Sequence, residues 1–282
     1  MGLTTIGMKR YTSPLRYPGG KSRVAKELLA FFPDFYEYRE PFLGGGSVFF
    51  QTRTTLDGKS YWVNDLNTNL YCFWISARDT IDQLITEINE LREQFAGNGK
   101  GLYFHLKNEY QTNSILNTAV RFFILNRITY SGLTDSGGYS NESFQKRFTD
   151  SSIEKLRRIS VLLQNTVITN LDYSRMLVQD GEKVFLFLDP PYYSQRVSKL
   201  YGNNGDLHVQ FDHQLFAESV TNCKHNWLIT YDDNPYIRSL YQDYYITDWS
   251  LQYGMNRSNG ITKRGHELII TNYKYSKQEH IF

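Results

Sequence analysis

An apolar run of five residues, Val184–Leu188, passes directly into a rigid polar segment. The run has the length and composition of a strand buried on both faces of a sheet. The segment that follows is Asp189, Pro190, Pro191 and Tyr192. Each proline fixes its own φ angle and removes a backbone N–H donor, so neither can continue a central strand. The chain must therefore place a carboxylate at the end of a buried strand and turn there.

This segment has the groups needed to hold a planar amine. Open α/β folds bind ligands at the carboxyl ends of their strands, where Asp189 is expected. An amine between the Asp189 carboxylate and the Pro190 carbonyl would donate both of its hydrogens. Tyr192 offers a ring on which a base can stack. The alternative is a plain strand end followed by a rigid turn.

The composition is that of a globular protein and leaves several function classes open. The chain has 282 residues, of which 21% are charged and 16% are aromatic, and its formal net charge of +2 neither requires nor excludes a polyanionic partner. Cys72 and Cys223 lie far apart without a CxxC pair, which argues against a disulfide framework and a structural zinc site. The six histidines show no ligand spacing, so no metal is expected. With no leader pattern and no membrane-length apolar run, a cytoplasmic protein is expected.

Predicted strands alternate with predicted helices along the chain. Strands are expected at residues 38–42, 61–63, 166–170, 184–188 and 227–230, followed by a hairpin of residues 244–251 and 267–273. Helices are expected at residues 20–29, from 47, and at 66–75, 81–95, 173–178, 212–223 and from 235. This order predicts an α/β fold with a mostly parallel sheet and a C-terminal antiparallel hairpin.

Residues 97–164 change in character. Helical blocks at 102–110, 120–128 and 153–163 surround a glycine- and serine-rich stretch at 131–143, and basic residues outnumber acidic ones. We interpret residues 76–164 as a helical insertion between the two parts of the sheet domain, residues 1–75 and 165–282.

A glycine turn and three strand-end acids point to a nucleoside-type ligand. Gly44, Gly45 and Gly46 join a predicted strand to a predicted helix, which is the entry unit of a nucleoside-binding sheet. The last glycine of GxGxxG is replaced by Phe49, which favours a ligand without a pyrophosphate, such as S-adenosylmethionine. Acids that end strands are Asp65, Asp172 and Asp189, and Asp65 is placed to accept hydrogen bonds from a ribose. The alternative treats the glycines as plain turns and each aspartate as a helix N-cap, which is strongest for Asp172.

The segment Gly20-Lys21-Ser22 also invites comparison with a phosphate-binding loop. The GxxxxGKS pattern requires a glycine at position 15, where this chain has Leu15. A nucleotide-hydrolysing protein is therefore not favoured.

In combination, these motifs resemble the Dam-like DNA adenine N6-methyltransferases, in the permutation with the cofactor half first, from Leu15 to Tyr273. The resemblance implies a Rossmann-like methyltransferase sheet with an inserted target-recognition domain, and S-adenosylmethionine as cofactor. Pro18–Lys21 resembles the motif at the cofactor's methionine end, residues 40–47 the main cofactor motif, and residues 64–67 the ribose motif. The implied catalytic residues are Asp189, Pro190, Pro191 and Tyr192. The implied cofactor-binding residues are Tyr17, Gly19, Gly20, Lys21, Glu40, Pro41, Phe42, Gly44, Gly45, Gly46, Ser47, Asp65, Asp172 and Asp189.

Residues 125–133 resemble the family segment that contacts the DNA backbone and the target site. With the loop before the last strand, they give an implied DNA-binding set of Asn126, Arg127, Tyr130, Ser131, Gly132, Arg257, Lys263 and Arg264. The family often has Asn at the position of Ser131. For Arg127, the alternative is a solvated arginine on a helix face.

The implied activity is methyl transfer to the N6 amine of an adenine that rotates out of double-stranded DNA, at a cost of a few kcal/mol. Three alternatives stay open: a cytosine N4 amine, an RNA amine, or a DNA-binding relative without catalysis. The implied partners are duplex DNA and a cognate restriction endonuclease that acts separately. A monomer or weak dimer is expected.

Overall fold

The computed structural model describes residues 12–17, 19–193, 211–252 and 264–275, and within them one mixed sheet has seven strands. The strand order is β3-β2-β1-β4-β5-β7-β6. The first five strands are parallel, and β7 runs antiparallel to both β5 and β6. This confirms the predicted mostly parallel sheet and its C-terminal antiparallel pair. The strands are β1 (Glu37–Glu40), β2 (Ser60–Asn64), β3 (Thr166–Thr169), β4 (Val184–Leu188), β5 (Asn226–Asp232), β6 (Tyr245–Gln252) and β7 (Arg264–Thr271).

Strand β4 lies between β1 and β5, and all five of its residues are buried. Phe185 and Phe187 face one core cluster, while Leu186 and Leu188 face a second cluster on the other side of the sheet. A continuous apolar run is required because side chains alternate between two buried faces. The predicted strand at residues 184–188 is confirmed, and it delivers Asp189 to the carboxyl edge of the sheet.

Helices cover both faces of the sheet. They are α1 (Ala25–Leu28), which continues as a 3₁₀ turn (Leu29–Phe31), α2 (Ser47–Thr55), α3 (Thr68–Asp79), α4 (Ile81–Gln94), α5 (Gly99–Asn108), α6 (Ile115–Ile128), α7 (Asn141–Arg147), α8 (Asp150–Leu163), α9 (Ser174–Val178), α10 (His213–Thr221) and α11 (Pro235–Leu240). None of these described helices is long and apolar enough to cross a membrane.

Several boundaries differ from the sequence prediction, two of them at capping serines. Helix α6 begins at Ile115, since Ser114 Oγ accepts the Asn117 amide at 3.0 Å. Helix α7 was not predicted; Ser140 caps it at the end of the glycine- and serine-rich stretch. The predicted helix at residues 20–29 is shorter in the structure. The α-helix spans Ala25–Leu28 and continues as the 3₁₀ turn Leu29–Phe31. The domain boundary predicted at residue 75 falls inside α3.

The helices α4–α8 share a hydrophobic core with the sheet. Helix α3 packs against both α6 and α8, and Phe73 of α3 stacks parallel to Phe123 of α6 at 5.9 Å between ring centroids. Both residues belong to the same buried cluster as Phe185 of β4. The helical segment is therefore held to the sheet by continuous apolar packing, which the hydrophobic effect strongly favours.

Candidate active site

A cavity of about 620 Å³ lies at the carboxyl ends of β1, β2 and β4. Its lining includes the four predicted catalytic residues Asp189, Pro190, Pro191 and Tyr192. The predicted cofactor set also lines it: Tyr17, Gly19, Gly20, Lys21, Glu40, Pro41, Phe42, Gly44, Gly45, Gly46, Ser47, Asp65 and Asp172. Residues from five separate parts of the chain thus converge on one space, as expected for the strand ends of an open parallel sheet.

The glycine turn after β1 is shaped by Tyr17. Gly44 and Gly46 have φ angles of +50° and +69°. Residues that carry a Cβ are conformationally strained at such angles. A Cβ at Gly44 would lie 2.9 Å from Tyr17 Cε1, and one at Gly45 would lie 3.0 Å from Tyr17 Cβ. The turn therefore needs glycine both for its backbone and for the close approach of the Tyr17 ring, which forms a wall of the cavity.

Asp65 fixes this turn from the neighbouring strand. Its Oδ2 accepts the Gly44 amide at 2.8 Å, and its Oδ1 accepts the Asn67 amide at 2.9 Å. Burial raises the pKa of Asp65 to about 6, although both hydrogen bonds act in the opposite direction. Each carboxylate oxygen has a second lone pair, so Asp65 retains acceptor capacity for a hydroxyl group in the cavity.

Asn64 joins the ends of three strands and is a residue whose role the sequence did not reveal. Its Nδ2 donates to the carbonyls of Pro41 and Leu171, at 3.1 and 2.9 Å. Its Oδ1 accepts from Thr169 Oγ1 and from the Leu171 amide, both at 2.8 Å. The side chain is 1% exposed. Asn64 therefore holds the ends of β1, β2 and β3 in register beneath the cavity.

Glu40 contributes a buried acid at the end of β1. It is 2% exposed, and the Tyr38 hydroxyl donates to its Oε2 at 2.6 Å. Burial raises the pKa of Glu40 well above its ordinary value, and the nearby charges of Asp189 and Asp65 act in the same direction. Burial therefore disfavours the charged form of this carboxyl group.

The Asp189 carboxylate faces the cavity and is held by two side chains. Lys21 Nζ donates to Oδ1 at 2.9 Å and to Oδ2 at 3.1 Å, and Thr230 Oγ1 donates to Oδ1 at 2.6 Å. Lys21 Nζ also donates to the Tyr192 hydroxyl at 2.7 Å. Sequence reasoning missed Thr230, yet parallel pairing places Leu188 level with Ile229 and hence Asp189 level with Thr230. That strand register was the signal that could have found it.

Two aromatic rings pack beside Phe42, one of the predicted cofactor-binding residues. Its ring centroid lies 5.6 Å from that of Tyr173 and 5.9 Å from that of Phe211. The sequence did not single out Tyr173 and Phe211 as cavity residues, because they come from distant loops. Asp172 lines the same region, and its Oδ1 accepts the Ser174 amide at 3.0 Å. Because the N-cap of α9 is Tyr173, Asp172 bonds the first helical amide from one residue earlier and is not the N-cap that the alternative predicted.

The predicted DNA-binding residues near α6 are not all presented to solvent. Asn126 is 1% exposed and clamps the backbone of Arg16, accepting its amide at 2.9 Å and donating to its carbonyl at 2.8 Å. Gly132 has a φ angle of +77°, and a Cβ there would lie 2.5 Å from the Arg16 carbonyl. Ser131 has a φ angle of 54°. These residues shape a tight turn, and Tyr130 is exposed beside it.

Arg127 is not the solvated arginine that the alternative predicted. Only 7% of it is exposed, its guanidinium carbon lies 5.6 Å from the Phe123 ring centroid, and its Nη2 donates to Asn126 Oδ1 at 3.0 Å. Burial and, to a lesser extent, the positive charges of Arg16 and Arg147 together lower the pKa of Arg127 to about 9. In the described conformation, burial limits its access to a DNA phosphate.

Two of the remaining predicted DNA-binding residues lie outside the residues that the structure describes. Arg257 and Lys263 lie outside them, and Arg264 is described only as the first residue of β7. Within residues 12–17, 19–193, 211–252 and 264–275, no three histidine, cysteine or acidic side chains form a group suited to a metal ion.

The fold and the cavity together define an α/β protein with a mostly parallel sheet, consistent with a methyltransferase fold. The sequence pattern of the D12 class of N6 adenine-specific DNA methyltransferases matches residues 17–255. The chain belongs to this family, which confirms the resemblance drawn from its motifs, and it is an adenine-specific DNA methyltransferase.

Relatives with curated names agree with this assignment. The chain is 25% identical over 197 residues to the Type II methyltransferase M.MjaIII of Methanocaldococcus jannaschii, which covers 63% of this chain and 68% of the relative. It is 24% identical over 291 residues to the Type II methyltransferase M1.LlaDCHI of Lactococcus lactis subsp. cremoris, covering 95% and 96% of the two chains. It is 24% identical over 270 residues to the DNA adenine methylase of Salmonella typhi, covering 93% and 95%.

Proposed function

We propose that the cavity binds S-adenosylmethionine and that Asp189 receives the N6 amine of an adenine rotated out of double-stranded DNA. The observation that carries this proposal is the placement of Asp189 and the Gly44–Gly46 turn in the lining of one cavity. A donor and an amine bound in that space would be neighbours, and holding reactants at near-attack distance accounts for much of the acceleration in such transfers.

The residues present fit this cofactor. The turn with its wall of Tyr17 leaves room for an adenosyl group, Asp65 retains acceptor capacity for ribose hydroxyls, and Phe42 provides an apolar face. Asp172 would contact the cofactor's adenine amine. S-adenosylmethionine supplies an electrophilic methyl group on a positively charged sulfur. Because that charge is lost during transfer, a cavity with aromatic walls favours the transition state.

Asp189 would orient the amine of the target base. Its carboxylate can accept one amine hydrogen and the Pro190 carbonyl the other, which leaves the nitrogen lone pair directed at the methyl group. Thr230 fixes the carboxylate through a hydrogen bond of 2.6 Å. Stacking on Tyr192 would offset the cost of unstacking the base, at about 1 to 3 kcal/mol.

A cluster of positive charge supports a DNA-binding role for the surface beside the cavity. After the larger effect of burial, the charge of Arg147 lowers the pKa of Arg16, and the charges of Arg16 and Arg147 lower the pKa of Arg127. Arg147 is exposed, and Arg16 directly precedes the cavity residue Tyr17. We propose that Arg16, Arg147 and exposed Tyr130 meet the DNA backbone, and that residues 76–164 serve target recognition.

Several finer expectations from the sequence remain predictions. They are the DNA contacts of Asn126, Arg127, Ser131, Gly132, Arg257, Lys263 and Arg264, a separately acting restriction endonuclease, a monomeric or weakly dimeric state, and action in the cytoplasm. The number of phosphate contacts can be obtained from the slope of DNA affinity against salt concentration, because each neutralised phosphate releases counterions.

The direct test incubates the protein with S-adenosylmethionine tritiated on its methyl group and with genomic DNA, then digests the DNA to nucleosides. Label is expected in N6-methyl-2′-deoxyadenosine. Label in N4-methylcytosine, or none with DNA but some with RNA, would instead support the alternatives. A protein that binds the cofactor and DNA without transferring label would be an inactive relative.

A further inference from the structure

The Lys21 ammonium lies where the amine of the target base would have to bind. Its Nζ donates to both oxygens of Asp189, at 2.9 and 3.1 Å, and to the Tyr192 hydroxyl at 2.7 Å. It also lies 4.8 Å from the centroid of the Tyr192 ring. Lys21 is only 5% exposed. The carboxylate that would accept an amine hydrogen is therefore already bound to a cation of the same protein.

A second carboxylate lies beside this ammonium. Glu267 Oε2 is 3.8 Å from Lys21 Nζ, which is within ion-pair range but longer than a hydrogen bond. Glu267 is 3% exposed and lies on β7, opposite Asp232 of β5. Two residues before Asp232, the same strand β5 carries Thr230, which bonds Asp189. Lys21 thus makes a short contact with the Asp189 carboxylate and a longer one with the Glu267 carboxylate.

We propose that Lys21 is a positioning residue that exchanges between these two carboxylates. Without a base it neutralises Asp189; when an amine binds Asp189, Lys21 moves to Glu267. This inference rests on the proposed function, because it requires an amine at Asp189. No proton is transferred and no net charge changes, since one ion pair replaces another. The lysine stem is flexible and its ammonium has three rotatable donors, so a short displacement suffices.

The exchange gives the pocket a chemical criterion for its ligand. A buried carboxylate that loses its cation without a new donor is costly, so Lys21 should leave Asp189 only for a group that donates a hydrogen bond. A base with an exocyclic amine meets this requirement. A base without one would leave Asp189 paired with Lys21 and would gain little from entering the pocket.

The test compares duplexes that carry either adenine or unsubstituted purine at the methylated position, once that position is known. The unmodified protein should bind the adenine duplex more tightly than the purine duplex, but only by the net gain that is left after the amine has displaced Lys21 from Asp189. In Lys21→Met the preference for adenine over purine should rise about tenfold, as expected for an uncontested hydrogen bond to a charged group. In Glu267→Gln it should fall, because Lys21 loses its second partner. In the double variant the Glu267→Gln effect should vanish, because the two residues act as a unit.

The controls separate this role from the cofactor-binding role that the sequence implied for Lys21. Affinity for S-adenosylmethionine is measured for each variant so that the preferences are compared at saturating cofactor, and Lys21→Arg should restore part of the original preference. Loss of cofactor affinity with an unchanged adenine preference would overturn the proposal, as would equal effects of Glu267→Gln in both backgrounds. If Lys21→Met does not fold, Glu267→Gln alone decides: an unchanged preference contradicts the exchange. If the unmodified protein methylates no adenine, the proposed function itself has failed.

Discussion

The cavity at the sheet edge and the junction between residues 12–17 and α6 both contain polar residues that the sequence singled out, but they use them differently. Asn126 at the junction makes four hydrogen bonds, to Arg16 twice, to Gly132 and to Arg127. An amide side chain has capacity for four, so none is left for a ligand. Asp65 at the cavity accepts two and retains acceptor capacity. A polar motif thus indicates a binding residue only where folding leaves hydrogen-bonding capacity unused.

The largest expected effect is at the cavity. Asp189→Asn keeps the shape of the side chain but replaces one acceptor oxygen with a donor that repels the target amine. Initial rates of tritium transfer to DNA should fall by about a thousandfold or more. Affinity for S-adenosylmethionine should change little. The matched control is Asp180→Asn, since Asp180 is an exposed carboxylate outside the cavity lining. A rate within tenfold of the unmodified protein would contradict the role of Asp189.

The second largest effect is a loss of stability at the junction. Asn126→Ala leaves the buried Arg16 backbone groups without their partner, so the free energy of unfolding should fall by about 3 kcal/mol. Denaturant unfolding followed by circular dichroism measures this change. Asn117→Ala, on the same helix but with exposed hydrogen bonds, should cost less than about 1 kcal/mol. If Asn126→Ala kept full stability and only weakened DNA binding, Asn126 would be a ligand contact and the comparison would fail.

A third effect separates backbone strain from contact with Tyr17. Gly44 and Gly58 both have positive φ angles, but only a Cβ at Gly44 meets another atom within 4 Å. Both alanine variants should lose stability to a similar extent from strain, about 1 kcal/mol. Only Gly44→Ala should weaken binding of S-adenosylmethionine, by about tenfold, because it displaces the cavity wall. Isothermal titration calorimetry tests this difference, and equal cofactor affinities in the two variants would contradict it.

The smallest effect follows from the pKa of Asp65, which burial raises to about 6. Ribose hydroxyls require the ionised carboxylate, so cofactor affinity should fall about twofold from pH 8 to pH 6 and more steeply below. Asp65→Asn should bind more weakly and show a flatter profile. The stability effect has the opposite sign: the folded pKa lies above the unfolded value of 3.8, so this group lowers the free energy of unfolding as pH rises from about 4 to 6. A pH-independent affinity in the unmodified protein would contradict the role of Asp65.

The sequence predicted those parts of the molecule that depend on local pattern. The apolar run Val184–Leu188, the glycine turn and the strand-end acids gave the sheet and the residues of its cavity, because alternation of strands and helices fixes which ends meet. Thr230 and Asn64 were not predicted as partners of the site, since their roles depend on strand register. The burial of Arg127 was also missed, because it depends on packing against residues far away in the chain.

The most direct test of the central claim maps N6-methyladenine in the genomic DNA of cells that lack other adenine methylation and express this chain or its Asp189→Ala variant. We expect methylated adenines within one short sequence for the unmodified chain and none for the variant. Genomes without N6-methyladenine in either case, or with the same marks in both, would contradict methyl transfer at Asp189.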